Sequence, residues 1–168
     1  MVKDVTIEQI ISIEEYVDEL ASLLIEVVDS GSSMGFSPRM SSLDSRQYWG
    51  NVLGPEVILF VAKINSSIIG SVQLHLCHKQ NDDHRVEIAK LMIHPNYRQN
   101  GIGRLLMQKA ADRAKEEDRS LLFLNTSAGD PTNQLYTSLG YIQVGRIPNY
   151  TMSIDRELHA TFVYYKIQ

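Results

Sequence analysis

LMIHPNYRQNGIGRLL, residues 91–106, decides how this chain is read. An apolar strand end runs into His94-Pro95, and a short polar segment then meets two glycines in G-x-G spacing. Behind them Ile102, Leu105, Leu106, Lys109, Ala110 and Ala114 recur at helical spacing, so residues 101–117 are expected to be a helix. The first N–H groups of a helix lack intrahelical partners, and the aligned peptide dipoles add positive potential there. Glycine lets a ligand approach the backbone because no Cβ stands in the way. Arg98 and Arg104 flank the turn and can add charge-assisted hydrogen bonds. The stretch therefore reads as an anion site of the type that takes phosphate.

Three phosphate readings compete. A P-loop requires G-x-x-x-x-G-K-[ST], and no Lys-Ser/Thr follows these glycines. A dinucleotide fingerprint requires G-x-G-x-x-G, but residues 101–106 are GIGRLL, without the third glycine. It also belongs in a first strand–helix unit, whereas this stretch follows several β-rich segments. The third pattern, R-x-x-G-x-G, is present in full at Arg98, Gly101 and Gly103.

Outward from this stretch the elements fall into a clear order. Residues 85–93, RVEIAKLMI, form a strand. Alternation sets Val86, Ile88, Lys90 and Met92 on one side and Glu87, Ala89, Leu91 and Ile93 on the other. Upstream, VILFVAKI and IIGSVQLHLCH surround Asn65-Ser66-Ser67 and read as a hairpin. A first strand is expected at residues 2–7. Ile13, Tyr16, Val17, Leu20, Leu23, Leu24 and Val27 then mark a helix, and SGSSMGFSP breaks it before a shorter helix at residues 42–53. Downstream, SLLFLNT is a compact strand. Asp130-Pro131 suits an N-cap and first helical position, TNQLYTSL a short helix, and Gly140 its end. YIQVGRI and HATFVYYKI are the last strands. The sum, β-α-α-β-β-β-α-β-α-β-β, is an α/β chain with about seven strands and four helices. No repeat or linker divides residues 1–168, so one domain is expected.

The chain has 168 residues, 43% of them hydrophobic and 21% charged, with a net charge of −4. That balance suits a globular core and gives no general attraction to nucleic acid or anionic membranes. An amine substrate fits the charge better than a polyanion. One cysteine, Cys77, allows no internal disulfide and no multi-cysteine zinc site, and it is expected to be buried packing. The five histidines lack the i, i+4 spacing of a helical metal motif, so no metal is expected. No signal-peptide core or membrane-length apolar run is present, and a cytoplasmic location is expected.

LMIHPNYRQNGIGRLL resembles the signature of the Gcn5-related N-acetyltransferase superfamily, with Arg98, Gly101 and Gly103 at its defining positions. LYTSLGY, some thirty residues on, is similar to that superfamily's LYxxxGF segment, and the element order agrees from end to end. SGSSMGF, QLHLCHK, VEIAKLMIHP and GRIPNY…LHATFVYYK look most like tabtoxin-resistance-type acetyltransferases. The resemblance implies a mixed, mostly antiparallel sheet and direct acetyl transfer from acetyl-CoA to a primary amine, releasing coenzyme A. It implies that backbone groups of Leu91, Met92 and Ile93 hold the pantetheine arm. Gln99, Asn100, Gly101, Ile102, Gly103 and Arg104 would wrap the pyrophosphate.

Acetyl transfer needs a neutral amine, a donor for the developing oxyanion and help for the departing thiolate. Tyr136 matches the superfamily tyrosine that assists the thiolate, and a core aromatic is its bland alternative. Glu87 stands in an otherwise apolar strand, where a lone carboxylate is costly, and is the candidate base acting through water. Its alternative is a cross-strand pair with Lys90 or Arg85. Asn125, on the next strand, stands where the tabtoxin-resistance type can carry an acid; an amide orients water or substrate but cannot be a base. Residues 30–36 and 146–150 are expected to border the acceptor, through Ser33, Phe36, Arg146 and Tyr150. Arg146 would hold a substrate carboxylate. His75 or His159 is a candidate to face the same site. The expected acceptor is a small-molecule amine, an amino-acid-like antibiotic or toxin among the candidates, and a homodimer is the candidate assembly. The rival readings are a peptide or protein α-amine acetyltransferase and a non-catalytic acyl-CoA-binding sensor.

Overall fold

The computed structural model describes residues 4–31, 36, 40–153 and 155–168. Seven strands form one sheet: β1 (Val5–Ile10), β2 (Val57–Ile64), β3 (Ser67–Leu76), β4 (Arg85–Ile93), β5 (Leu121–Ser127), β6 (Ile142–Met152) and β7 (Leu158–Ile167). Their spatial order is β1-β2-β3-β4-β5-β7-β6. Every ladder is antiparallel except β4–β5. The helices are α1 (Val17–Asp29), α2 (Ser42–Gly50), α3 (Ile102–Glu116) and α4 (Thr132–Ser138). The expected order and the mostly antiparallel mixed sheet are both present.

Two apolar layers fix the sandwich. One face of the sheet packs on α3 and α4 through Phe60, Val72, Leu74, Val86, Ile88, Leu122 and Leu124, against Leu106, Met107, Ala110 and Tyr136. The other face packs on α1 and α2 through Leu59, Val61 and Met92, against Leu20, Leu24, Val27 and Trp49. Leu20, Leu24 and Trp49 are fully buried. Each such side chain contributes about 1.5–3 kcal/mol by leaving water. α2 has little apolar surface of its own, and local polar bonds define it. Ser41 Oγ accepts from Asp44 N–H at 3.0 Å in a capping box. Buried Ser45 donates to Ala21 O at 3.0 Å and so ties α2 to α1.

Some boundaries differ from the sequence expectation. α1 begins at Val17, and the apolar spacing upstream belongs to a turn in which Tyr16 N–H bonds Ile13 O at 2.9 Å. β1 runs three residues further along than expected, because residues 5–10 have β2 as a partner. β6 extends to Met152, held by pairing with β7. Cys77 is half-buried rather than buried, just beyond the end of β3.

The most consequential difference lies inside β4. Lys90 takes φ 55, and Ser71 pairs Met92 while Gln73 pairs Ala89. Two residues, Lys90 and Leu91, therefore oppose Val72 alone, which is a β-bulge. The extra residue reverses the alternation. Val86 and Ile88 share the α3–α4 layer with Leu91 and Ile93, whereas Met92 joins the α1–α2 layer. The expected grouping of Met92 with Val86 and Ile88 is thus corrected.

Candidate active site

β4 and β5 run parallel over three pairs, Arg85–Leu121, Val86–Leu122 and Glu87–Phe123. Among the described residues no ladder pair joins them beyond Glu87, although β4 continues to Ile93 and β5 to Ser127. The bulge at Lys90 twists β4 away at this point. Met92 and Ile93 keep their pairing to β3, and residues 91–93 present their other edge to the opening. A strand edge with unpaired N–H and C=O groups can bind an extended amide-bearing chain as though it were a strand.

At the far end of β4 the chain turns through a short 3-10 segment, Pro95–Tyr97, into α3. His94 Nε2 is paired with Glu26 on α1, and its ring meets Tyr97 edge-on at 5.6 Å. Arg98 donates to Ser30 Oγ at 2.9 Å, fastening the loop to the end of α1. Asn100 Nδ2 donates to Tyr97 O and Arg98 O at 3.1 and 2.9 Å, so this side chain shapes the loop. Gln99 and Gly101 have positive φ, 62 and 78, which curls the backbone over the start of α3. Leu105 N–H is bonded to Gly101 O at 3.2 Å. The N–H groups of Ile102, Gly103 and Arg104 precede that bond and have no acceptor within the helix. Arg104 reaches Ser138 Oγ on α4 at 2.6 Å.

The two glycines serve different needs. A Cβ on Gly101 would meet nothing within 4 Å, so the space above it is open. A Cβ on Gly103 would stand 3.2 Å from Leu135 Cδ2, so this glycine also lets α3 pack close to α4. The loop and the strand edge together fit a diphosphate with a pantetheine-like arm: unpaired N–H groups at one end, an unpaired strand edge at the other.

Tyr136 is buried in the layer between the sheet and α4. Its ring lies 5.7 Å from Tyr164 and 6.1 Å from Tyr141. Burial pushes its phenol far above the ordinary range, partly offset by a hydrogen bond with Thr132. Burial likewise pushes Tyr141 up to about 12. α4 is held at its start by Asp130, whose carboxylate accepts from Thr132 N–H at 2.9 Å and Thr132 Oγ1 at 2.7 Å. At its end Lys166 donates to Leu139 O at 2.8 Å.

Glu87 lies on the opposite face, with the α1–α2 layer, half-buried. Arg85, one of its suggested partners, is engaged instead by Asp82 at 2.8 Å. His75 is the direct cross-strand neighbour of Glu87 on β3. Gln73, fully buried, donates from Nε2 to Tyr48 OH at 2.9 Å and shares a 2.8 Å hydrogen bond with His75 Nε2 through Oε1. Lys90 Nζ stands 4.6 Å over the ring of Phe36, which packs edge-on against Tyr48 at 4.7 Å. Burial lowers the pKa of His75, with Glu87 opposing and Lys90 reinforcing. Burial also lowers that of Lys90, against the pull of Glu87. Asn125 is exposed and shares the Glu87 face, since Leu122 and Leu124 fill the other.

The structure thus brings Glu87, Asn125 and Phe36 to one side of the opening and Tyr136 to the other. Ser33 lies outside the described residues. Arg146 is exposed and sits opposite Phe162 in the β6–β7 ladder. Phe162 packs with the α3–α4 layer, so Arg146 is not brought to the face of Glu87. Tyr150 is half-exposed beside the irregular stretch of β6. Sequence reasoning missed Gln73 and Tyr48. The signal was present in VQLHL, where two polar residues alternate with three apolar ones. That reasoning named His159 but not Asp155 and Glu157, and the ligand atoms of these three exposed residues lie within 4.8 Å of one another where β6 connects to β7. Asp155 there already accepts from Ser153 Oγ.

The acetyltransferase (GNAT) family model matches residues 24–141, from within α1 to just beyond α4. The chain belongs to this family. GNAT proteins generally use acetyl-CoA as co-substrate. Among curated proteins, the N-acetylaspartate synthetase of Danio rerio is 28% identical over 94 residues, covering 55% of this GNAT chain. The chain spans about a third of that relative's length, 32%. Among solved structures, a GNAT acetyltransferase from Streptococcus pneumoniae superposes with a TM-score of 0.81 at 17% identity, covering 98% of this chain and 100% of the other. The ribosomal-protein-alanine N-acetyltransferase of Brucella melitensis gives 0.81 at 18% identity, covering 97% and 99%. At these identities the superpositions speak for the fold. Among the described residues no helix is long and apolar enough to cross a membrane.

Proposed function

We propose that this GNAT chain is an acetyl-CoA-dependent N-acetyltransferase that acts on the primary amine of a small, amino-acid-like molecule by direct transfer. One observation carries the reading: the sheet opens immediately beyond Glu87, and the open edge of β4 leads into the N–H-lined start of α3. Bound acetyl-CoA would supply the activated acetyl group as a thioester. Backbone groups of Leu91, Met92 and Ile93 would hold its pantetheine arm. Gln99, Asn100, Gly101, Ile102, Gly103 and Arg104 would surround its pyrophosphate, with Arg98 adding charge.

The residues on the two sides of the opening divide the proton work. An alkyl amine is cationic at neutral pH and must lose a proton to attack. The Glu87 carboxylate attracts the cation and takes that proton through water. Asn125, which can both donate and accept, orients the water or the amine. Backbone N–H groups near Met92 and Ile93 favour charge developing on the carbonyl oxygen. Tyr136, neutral because it is buried, donates its hydrogen bond to the leaving sulfur. Phe36 and Tyr48 border the acceptor from the α1–α2 side.

The small amino-acid-like acceptor is supported by the likeness to an N-acetylaspartate synthetase. A peptide α-amine is the second reading, supported by the likeness to a ribosomal-protein-alanine N-acetyltransferase and by exposed Asn125 at the mouth. The test is a thiol-release assay with acetyl-CoA against amino acids, simple amines and short peptides. Turnover of an amino-acid acceptor is expected, and turnover of peptides alone would transfer the reading to the second class. If acetyl-CoA raises the melting temperature but no acceptor releases thiol, the chain is a sensor and the enzymatic reading fails.

A further inference from the structure

β3 carries an arrangement that the donor site does not require. Val72, Leu74 and Leu76 fill the α3–α4 layer, and between them Gln73 and His75 point to the face of Glu87. Gln73 is fully buried, so both ends of its amide need partners. It donates to Tyr48 OH at 2.9 Å, which leaves Oε1 toward His75 Nε2 at 2.8 Å. An amide oxygen only accepts, so Nε2 carries the hydrogen. In a neutral imidazole the lone pair then lies on Nδ1. Tyr48 is itself fixed by its edge-on contacts with Phe36 at 4.7 Å and Trp49 at 5.1 Å. The chain Trp49–Tyr48–Gln73–His75 therefore runs from the α2 core to the cross-strand neighbour of the candidate base.

We propose that His75 is a positioning residue of the acetyl-transfer site: it receives at Nδ1 the proton that Glu87 takes from the acceptor amine, and so returns the carboxylate to its charged state. This rests on the acetyltransferase reading and adds the residue on which the proton comes to rest. The balance is simple. The N–H bond of the ammonium breaks, and its proton moves through water to a Glu87 carboxylate oxygen. That O–H bond then breaks, and the proton passes through a second water to Nδ1 of the cross-strand neighbour, where an N–H bond forms and leaves an imidazolium opposite a carboxylate. The nitrogen keeps its electron pair for attack, and the imidazolium later releases the proton to solvent. Imidazole is in general a stronger base than a carboxylate, which gives the transfer its direction. The titratable groups around His75 are Glu87 and Lys90 from β4 and Tyr48 from α2 through Gln73; its β2 neighbour Val57 is apolar. Burial, the largest influence, and Lys90 oppose the imidazolium, whereas Glu87 favours it.

Two measurements test this. Nitrogen-15 NMR of the histidine-labelled full chain at pH 7.5, assigned with His75→Gln or His75→Asn, should show the Nε2–H form of His75. The Nδ1–H form, which corresponds to a reversed Gln73 amide, would overturn the proposal. This readout is independent of turnover, so its failure differs from failure of the enzymatic reading, which the wild-type thiol-release assay tests. The second is the pH profile of kcat/KM for one acceptor. His75→Gln should lower the plateau roughly tenfold and move the acid limb toward the carboxylate range, with acetyl-CoA affinity unchanged. An acid limb that stays in place would overturn the relay even if the rate falls.

Discussion

Glu87 is the last residue of β4 to pair with β5, and its partner there is Phe123. The carboxylate therefore stands where the sheet stops being continuous. This placement makes Glu87→Gln an informative change. The amide keeps size and hydrogen bonding but cannot take a proton. We expect kcat to fall by about a hundredfold or more, with the dissociation constant for acetyl-CoA unchanged, as read by steady-state kinetics and calorimetry. A loss of donor affinity equal to the loss of rate would remove Glu87 from the proton path.

Gly101 separates binding from folding. Its φ of 78 strains any L side chain, but a Cβ there meets no protein atom within 4 Å. Gly101→Ala should cost roughly 1–2 kcal/mol of stability from backbone strain. In a chain of this size each 1 kcal/mol lowers the melting temperature by about 2–4 °C. Acetyl-CoA affinity should fall at least tenfold, because the new methyl occupies the space in front of the helix N–H groups. Unchanged affinity alongside the lowered melting temperature would place the pyrophosphate elsewhere.

Tyr136 offers a test by pH. Burial raises its phenol far above the ordinary range, so it stays a hydrogen-bond donor throughout the neutral and mildly alkaline region. Tyr136→Phe should lower kcat about tenfold or more without altering the shape of the pH profile up to pH 9. A basic limb near pH 9 in the wild type that disappears in the variant would mean that the phenol titrates and is not buried as described.

His75 should also leave a mark on folding. Its pKa is lowered below 6.5 in the folded chain, first by burial. Above pH 6.5 both folded and unfolded chains hold it neutral. As pH falls below about 6.5 the unfolded chain binds a proton that the folded chain resists, so this stability is lost progressively down to the folded-state value. Denaturation midpoints measured from pH 7.5 to 5 should decline less steeply in His75→Gln than in the wild type. Parallel slopes would show that His75 titrates alike in both states.

Residues 85–93 show what a sequence can and cannot display. Their strand was legible to the residue, because RVEIAKLMI alternates and is bounded by turn residues. Which side each residue faces was not, since nothing in the chemistry of Lys90 announces a positive φ; the bulge comes from pairing with β3. The anion loop was legible because glycines, arginines and a helix start are all written locally. Arg146 illustrates the reverse. Its type suits a carboxylate, but the β6–β7 register sets it opposite Phe162, and register is fixed by the partner strand. Gln73 and Tyr48 escaped notice because their link spans 25 positions and is made only when α2 folds onto β3.

The bulge at Lys90 has an evolutionary corollary. A substitution there changes one side chain, whereas loss of the codon would move Leu91, Met92 and Ile93 each to the opposite side of the sheet and remove the bend that parts β4 from β5. In this chain the cleft is therefore more exposed to changes in reading length than to changes in residue identity. Homologous chains should vary in residue type at this position far more freely than in the number of residues between Glu87 and Pro95.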